Sequence, residues 1–158
     1  MNSESINKQD KMLSEKEMTY ALLQHLENLG YNAVAELVLN NSLFDISELV
    51  GKNISKVRID IAAYKKDKIT FIEIENGLWL THPKLYRKFS HLLFLAYPAE
   101  YKSPTDNEQI LFAKRKGIGI LSVTKNGSIK TILRPVEYNI SVSLSSVIIS
   151  LIKKRKME

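Results

Sequence analysis

The sequence predicts an α/β protein in which a mixed central sheet is flanked by helices. Runs of β-branched and apolar residues alternate along the chain with segments whose apolar residues recur at helical spacing. Two pairs of these strand-like runs are separated by only three or four residues, a spacing typical of β-hairpins. A chain of 158 residues is long enough to bury a conventional core as one domain.

The N-terminal part of the chain predicts a helix followed by a strand. Residues 1–12 are polar and expected to be flexible, and helical spacing from about Ser14 predicts a helix that Gly30 ends. Residues 31–39 have the composition of a strand. The next segment, NNSLFDISELVGKN, mixes polar and apolar residues and predicts a short helix closed by Gly51.

A hairpin and a helix-to-strand unit are predicted in the middle of the chain. Two strands, over residues 56–64 and 69–75, would be joined by a turn of four charged residues, Lys65-Lys66-Asp67-Lys68. A short helix over residues 81–91 has Pro83 in its first turn and leads into an apolar strand over residues 92–97.

The C-terminal part predicts two more helices around a second hairpin. Ser103 and Asp106 form a capping box that starts a helix, and Gly117 ends it. An Asn-Gly pair suits a tight turn between strands over residues 118–124 and 128–133. A closing helix over 141–152 completes a single domain of residues 13–152, and residues 153–158 form a basic tail.

The charge and composition limit the classes of partner. A net charge of +6 and an isoelectric point near 9.4 favour a polyanionic partner such as nucleic acid. The absence of cysteine excludes disulfides, zinc-thiolate sites and cysteine nucleophiles. The N-terminal residues lack the apolar stretch of a secretory signal, and no segment approaches the roughly 20 apolar residues that span a bilayer. We therefore expect a cytoplasmic protein with no membrane association.

Three carboxylates lie within the apolar strands of the first hairpin: Asp60, Glu73 and Glu75. Side chains alternate along a strand, so Glu73 and Glu75 are expected on the same face, about 6–7 Å apart. A two-residue turn of Lys66-Asp67 would set Asp60 opposite Glu73, and a turn of Asp67-Lys68 would set it opposite Glu75. Either register brings all three acids together.

Such a cluster has two interpretations. Carboxylates within a few ångströms repel one another, and a hard divalent cation such as Mg²⁺, which prefers oxygen ligands, would relieve the repulsion. Alternatively, the acids lie on a solvated face and form ion pairs, for example Arg58 with Asp60. The isoleucines at 59, 61, 72 and 74 are expected to bury the opposite face, while Ala62 and Phe71 make the acid face partly apolar.

The order of these residues resembles the core of the PD-(D/E)XK nuclease superfamily. That core has an acid at the end of one strand, a short hairpin and a Glu-x-Lys motif, after an N-terminal helix and before a helix-to-strand unit. Asp60 matches its metal-binding aspartate and Glu73 its first glutamate, whereas Glu75 stands in the position of the lysine. The segment 81–98 is similar to MmcB-like DNA repair proteins and Holliday junction resolvases. The resemblance covers about residues 14–133 and implies a restriction endonuclease-like core.

The resemblance also implies a function and a set of site residues. It implies a nuclease dependent on Mg²⁺ or Mn²⁺ that hydrolyses phosphodiester bonds in DNA during repair, recombination or restriction. Asp60, Glu73 and Glu75 would bind metal, with Glu75 as a general base or as a ligand of a second ion. Lys88 is the preferred source of the missing positive charge.

Further residues complete the implied site and its partners. In the superfamily an acid on the first helix often joins the metal site, and Glu17 is the nearest match, with Glu27 and Glu36 as rivals. Lys84 lies on the same predicted helix face as Lys88, one helical turn away, where a phosphate contact is an alternative role. DNA is the expected partner, and the resemblance also suggests a homodimer because nucleases that cut both strands often dimerise. A second reading is a catalytically inactive nuclease-fold module that binds nucleic acid or a protein.

Overall fold

The computed structural model describes residues 12–41, 45–46 and 54–158 of the chain. All of the predicted flexible segment 1–12 except its last residue lies outside these residues. Most of the segment predicted to form a short helix closed by Gly51 also lies outside them. The elements of the described part are, in chain order, α1 (Glu15–Asn28), β1 (Asn32–Asn40), β2 (Lys56–Lys65), β3 (Lys68–Ile74), a 3-10 helix (Pro83–Phe89), β4 (Leu92–Pro98), α2 (Asp106–Lys116), β5 (Gly119–Val123), β6 (Ile129–Leu133) and α3 (Val142–Lys156).

The strands form a six-stranded mixed sheet whose spatial order follows the chain, β1-β2-β3-β4-β5-β6. The β1–β2, β2–β3 and β5–β6 pairs are antiparallel, and the β3–β4 and β4–β5 pairs are parallel. The 3-10 helix and α2 lie in the two crossovers that parallel neighbours require. The predicted α/β class, with helices flanking a mixed sheet, is therefore confirmed.

Each face of the sheet is covered by its own apolar core. The buried residues of α1, which are Met18, Leu22 and Leu26, pack with Ile61, Ile72 and Ile74 in one cluster. The second cluster joins α3 to the 3-10 helix and α2 through Ile148, Ile152, Phe89, Ala113 and Phe71. Because both faces are buried, the central strands consist of nearly continuous apolar residues, as expected for a covered sheet.

Along β1 and β2, the alternation of side chains between the two faces of the sheet is interrupted at Glu36 and Asp60. The pairs Ala35–Ile61 and Leu37–Ile59 are aligned, but Glu36 and Asp60 between them do not pair. Glu36 adopts a left-handed backbone with φ of 57°, which is uncommon for a residue other than glycine. As a result Ile59 packs in the α3 core while Ile61 packs in the α1 core. The expectation that Ile59 shares a face with Ile61 is wrong, because it assumed an undistorted strand.

The helix boundaries differ from the predictions in three places. Residues 83–89 form a 3-10 helix rather than a longer α-helix over 81–91. In the predicted capping box, the Ser103 N–H donates to Asp106 Oδ2 at 3.1 Å, but the Ser103 hydroxyl contacts the Thr105 hydroxyl instead of capping the helix. The helix therefore starts at Asp106 with Thr105 as its N-cap.

The closing helix is longer than predicted. Residues 153–156, assigned above to a separate basic tail, form the last turn of α3, where four basic side chains meet the negative end of the helix dipole. Throughout the described parts of the chain, no helix is both long enough and apolar enough to cross a membrane.

Gly117 ends α2 in a left-handed conformation with φ of 72°, as the sequence predicted for this position. A Cβ atom here would lie 3.1 Å from the Cβ of Val136 and 3.5 Å from the Arg87 guanidinium. The position therefore requires glycine for both its backbone and its surroundings.

We expect Gly117→Ala to lower the free energy of unfolding by about 1–2 kcal/mol, because alanine must adopt the left-handed backbone and displace Val136. Urea denaturation followed by circular dichroism measures the change. Asn107→Ala, at an exposed position of the same helix, should change the stability by less than about 0.5 kcal/mol. Equal stabilities of the two variants would contradict this account of Gly117.

Candidate functional site

The β2–β3 hairpin takes the first of the two predicted registers. Lys65 pairs with Lys68, which leaves Lys66-Asp67 as a two-residue turn in which Lys66 has a φ of 55°. The regular ladder ends at the Ile61–Ile72 pair, and the same register sets Asp60 opposite Glu73. Sequence reasoning therefore identified the neighbouring acids correctly but could not foresee that the ladder stops beside them.

Carboxylate groups replace the backbone ladder at this point. The N–H of Asp60 donates to Glu73 Oε2 at 2.9 Å, and the N–H of Ile74 donates to Asp60 Oδ2 at 2.8 Å. Each strand thus offers a backbone donor to the other strand's acid. We call Asp60 and Glu73 the acid pair. It occupies a gap in the sheet in which each carboxylate has one oxygen committed to the backbone.

The acid pair holds a proton in the absence of a cation. Glu73 is only 4% exposed, and burial, followed by the negative charge of Asp60, raises its pKa to about 9. A hydrogen bond between the two carboxyl groups also raises the pKa. At neutral pH Glu73 is therefore a carboxylic acid beside the Asp60 carboxylate, the state that two crowded carboxyl groups adopt when nothing else neutralises them.

Glu75 lies just beyond β3, where its N–H donates to the Ala96 carbonyl at 3.0 Å. Its side chain is 24% exposed, and its Oε1 lies 4.0 Å from His82 Nδ1. Burial raises the pKa of Glu75; the charge of His82 opposes this rise, and the charges of Asp60 and Glu15 add to it. Glu75 is thus the more accessible acid, and a histidine stands beside it.

A groove of about 710 Å³ between α1 and the first two strands opens onto Asp60. Its polar lining includes Glu15, Glu36 and Arg58. The Arg58 guanidinium lies 3.5 Å from Glu36 and 3.9 Å from Asp60. The ion-pair interpretation of the acids therefore describes Asp60 in part, whereas the described residues provide no ion pair for the buried Glu73.

Among the other predicted site residues, Glu36 lines the groove that opens onto Asp60, whereas Glu17 and Lys84 have contacts elsewhere. Glu17 caps α1, because its Oε1 accepts the Ser14 N–H at 3.0 Å and its own N–H donates to the Ser14 hydroxyl. Lys84 has its ammonium 5.9 Å from the centre of the Phe112 ring. Lys88 is exposed, and within the described residues no ion pair links it to the three acids. Glu36 contacts Arg58, as described above.

The structure brings Glu15, His82 and Tyr86 to the site, none of which was among the expected metal ligands or catalytic residues. Glu15 lines the groove beside Asp60, and its negative charge contributes to the raised pKa of Glu75. The pKa of Tyr86 is raised by burial and by the charges of the three acids. The sequence contains a signal for one of these residues, Glu15. The Ser14-x-x-Glu17 capping box assigns Glu17 to the helix end and leaves Glu15 as the first-turn acid that can face the strands.

The carboxylates of this site suit a cation that has two protein ligands, rather than a cation that is surrounded by three or more. In the described ranges, no group of three or more His, Cys, Asp or Glu residues is arranged to hold a metal ion. Asp60 and Glu73 each retain one oxygen that the backbone does not use. Mg²⁺ is commonly bound by one or two carboxylates and keeps several waters, so the acid pair fits this mode.

Comparison with known proteins shows the fold alone. No family model matches the chain, and no curated protein matches it. A solved structure of SPO1766, a protein of unknown function from Silicibacter pomeroyi, is 15% identical and superposes with a TM-score of 0.65 over 93% of this chain and 88% of that one. AF1548, also of unknown function, is 12% identical with a TM-score of 0.49 over 69% of this chain and 58% of that one.

The pKa of Glu73 predicts a dependence of stability on pH in metal-free buffer. The group titrates near 4.5 when unperturbed and near 9 in the folded chain, so the folded state holds the extra proton between these values. The stabilising contribution is complete below pH 4.5 and is lost as the pH rises through about 9. The free energy of unfolding should fall with rising pH, by at most about 1.4 kcal/mol per unit.

Glu73→Gln should remove this slope, since the amide mimics the protonated acid and has no proton to lose. Urea denaturation at pH 5, 6, 7 and 8 with a chelator measures the difference between wild type and variant. Glu27→Gln removes an exposed acid from α1 and should retain the wild-type slope. Parallel profiles for wild type and Glu73→Gln would contradict a buried, protonated Glu73.

Proposed function

We propose that this chain is a divalent-metal-dependent nuclease that hydrolyses phosphodiester bonds in DNA, with Asp60 and Glu73 as its metal ligands and the cytoplasm as its place of action. The observation that carries the proposal is the acid pair in the gap between β2 and β3. A buried carboxyl group beside a second carboxylate destabilises the fold unless it is protonated or neutralised. A bound cation would provide that neutralisation together with a chemical function.

The surrounding residues support the same function. A Mg²⁺ or Mn²⁺ ion bound there would polarise a phosphate and lower the pKa of a bound water. Asp60 and Glu73, on two adjacent strands, would be the residues that hold such an ion. Glu75, whose pKa is raised by burial, is suited to accept a proton from an attacking water. His82, whose Nδ1 lies 4.0 Å from Glu75 Oε1, would stabilise the Glu75 carboxylate when protonated.

Two further observations support DNA as the substrate and the nuclease core as the scaffold. The chain carries a net charge of +6, which favours a polyanion. A helix, a hairpin bearing the acids, and a helical crossover into a parallel strand follow one another in the chain. This order is that of the PD-(D/E)XK core, to which the sequence is similar.

The second candidate is a module of the same fold that binds nucleic acid or a protein without cleavage. It is favoured by Glu75 in the position of the family's lysine and by Lys84 and Lys88, neither of which forms an ion pair with the three acids within the described residues. Such a module would bind DNA without a divalent metal. Metal binding at the acid pair therefore separates the two candidates.

A cleavage assay tests the nuclease directly. Linear, nicked, branched and single-stranded DNA would be incubated with Mg²⁺ or Mn²⁺, and products resolved on denaturing gels. We expect Asp60→Asn to reduce the rate by at least about 100-fold, because it removes a ligand charge and retains the acceptor of the Ile74 N–H. Asp67→Asn, in the exposed turn, is the matched control. No cleavage of any substrate by the wild type would exclude the nuclease.

Metal binding has a readout that does not depend on activity. Mn²⁺ at about 100 times its dissociation constant should stabilise the folded chain by about 2.7 kcal/mol. The increase in melting temperature should be larger at pH 8 than at pH 6, because the ion competes with the proton on Glu73. Glu73→Gln should abolish the increase and Glu27→Gln should retain it. Equal shifts in both variants would place the metal elsewhere.

A further inference from the structure

The 3-10 helix has two sides with different surroundings. Its residues repeat every three positions, which puts the buried Pro83 and Phe89 in one row with the half-buried Tyr86. Burial, followed by the charges of the three acids, raises the pKa of Tyr86, so this row lies on the side of the acids. Lys84 belongs to the next row and points toward α2, where its ammonium lies over Phe112. The helix therefore separates the acid pair from a second, cationic surface.

Arg87 fixes the position of α2 against this helix. Its Nε donates to the Lys116 carbonyl at 3.2 Å, and its Nη2 makes a short hydrogen bond to the Val136 carbonyl. The guanidinium also lies 5.1 Å from the centre of the Tyr138 ring. Because these contacts use backbone carbonyls and a planar fork of donors, they hold the end of α2 in a defined place.

A cleft of about 300 Å³ lies between the 3-10 helix and α2. We call it the α2 cleft. Its polar lining consists of two cations, Lys84 and Arg115, one acid, Glu108, and two neutral groups, Thr81 and Gln109. Phe112 forms part of the wall. The ammonium groups of Lys84 and Lys116 lie 5.9 and 5.8 Å from the centre of that ring, so one aromatic side chain positions two cations.

Positive charge is concentrated around the α2 cleft. The 3-10 helix and α2 together contain six lysines and arginines and two acids, a net charge of +4 in a chain whose total is +6. The basic end of α3 is engaged differently, since Arg155 donates to the Ala35 carbonyl and Lys153 lies over Tyr64. The α2 cleft thus lies between two elements that together carry much of the positive charge of the chain, which suits a polyanion.

We propose that the α2 cleft binds phosphate groups of a polynucleotide strand and so holds the strand beside the acid pair. The two cations that line the cleft, Lys84 and Arg115, suit phosphate oxygens, and Thr81 and Gln109 add neutral donors of the kind that contact backbone oxygens. Its role in cleavage rests on the proposed function, but binding itself does not require a metal. This assigns Lys84, expected from the sequence to support the acids, to strand binding, and it adds Arg115.

Fluorescence anisotropy in a chelator tests the binding. Labelled single-stranded DNA, duplex DNA, RNA and polyglutamate would be titrated at several salt concentrations. Lys84→Gln/Arg115→Gln removes two cations from the cleft. Lys130→Gln/Lys154→Gln removes two exposed cations from β6 and α3 and is the matched control. The cleft pair should reduce the salt dependence of nucleic-acid affinity by about 1.4–1.8 logarithmic units per decade, and the control pair should leave it nearly unchanged.

Several outcomes would overturn the inference. Equal losses in the two double variants would show that only total charge matters. Cleft-dependent binding of polyglutamate as tight as that of DNA or RNA would assign the cleft to an acidic protein. Absence of nucleic-acid binding by the wild type at low salt would also exclude it. Circular dichroism melts would confirm that both double variants fold.

The binding and cleavage results separate the two proposals. Cleft-dependent binding without any metal-dependent cleavage would exclude the nuclease and retain the α2 cleft as a nucleic-acid site. Metal-dependent cleavage with an unchanged Michaelis constant and unchanged affinity in Lys84→Gln/Arg115→Gln would retain the nuclease and exclude the α2 cleft as a nucleic-acid site. Tighter binding of single strands, duplex or RNA would identify which source of phosphates the cleft accepts.

Discussion

The exchange of backbone hydrogen bonds for carboxylate contacts between β2 and β3 is the constraint on which the site depends. Asp60 and Glu73 each accept a backbone N–H from the opposite strand, so they cannot leave the sheet without opening it. The same exchange fixes a second acid against Asp60 in a buried position, where one negative charge has to be neutralised. Hairpin geometry and site electrostatics are therefore consequences of one local arrangement.

Much of the fold could be predicted because its signals are local. The two-residue turn at Lys66-Asp67 set the register, and the register set the neighbours of Asp60. The change of face at Glu36 had no such signal, because a left-handed backbone is expected at glycine or asparagine and not at glutamate. The extra turn of α3 was missed because a run of lysines and arginines suits both a solvated tail and the end of a helix.

The candidate site was only partly predictable, since half of it depends on contacts between distant segments. Strand parity identified the acids, but His82 and Tyr86 arrive through a crossover whose path no short-range pattern specifies. Lysine spacing suggested that Lys84 and Lys88 would serve the acids. The 3-10 geometry of their helix, with three residues per turn, instead directs Lys84 toward Phe112 and α2.

The hydrogen bonds of the acid pair also bear on how such a protein can change over generations. The N–H groups of Asp60 and Ile74 require only an oxygen acceptor, which an amide supplies as well as a carboxylate does. Asparagine or glutamine at these positions would keep the sheet closed and remove the buried repulsion. Single substitutions of this kind would therefore remove a carboxylate from the pair without opening the sheet, so the fold by itself does not require the acids at these two positions.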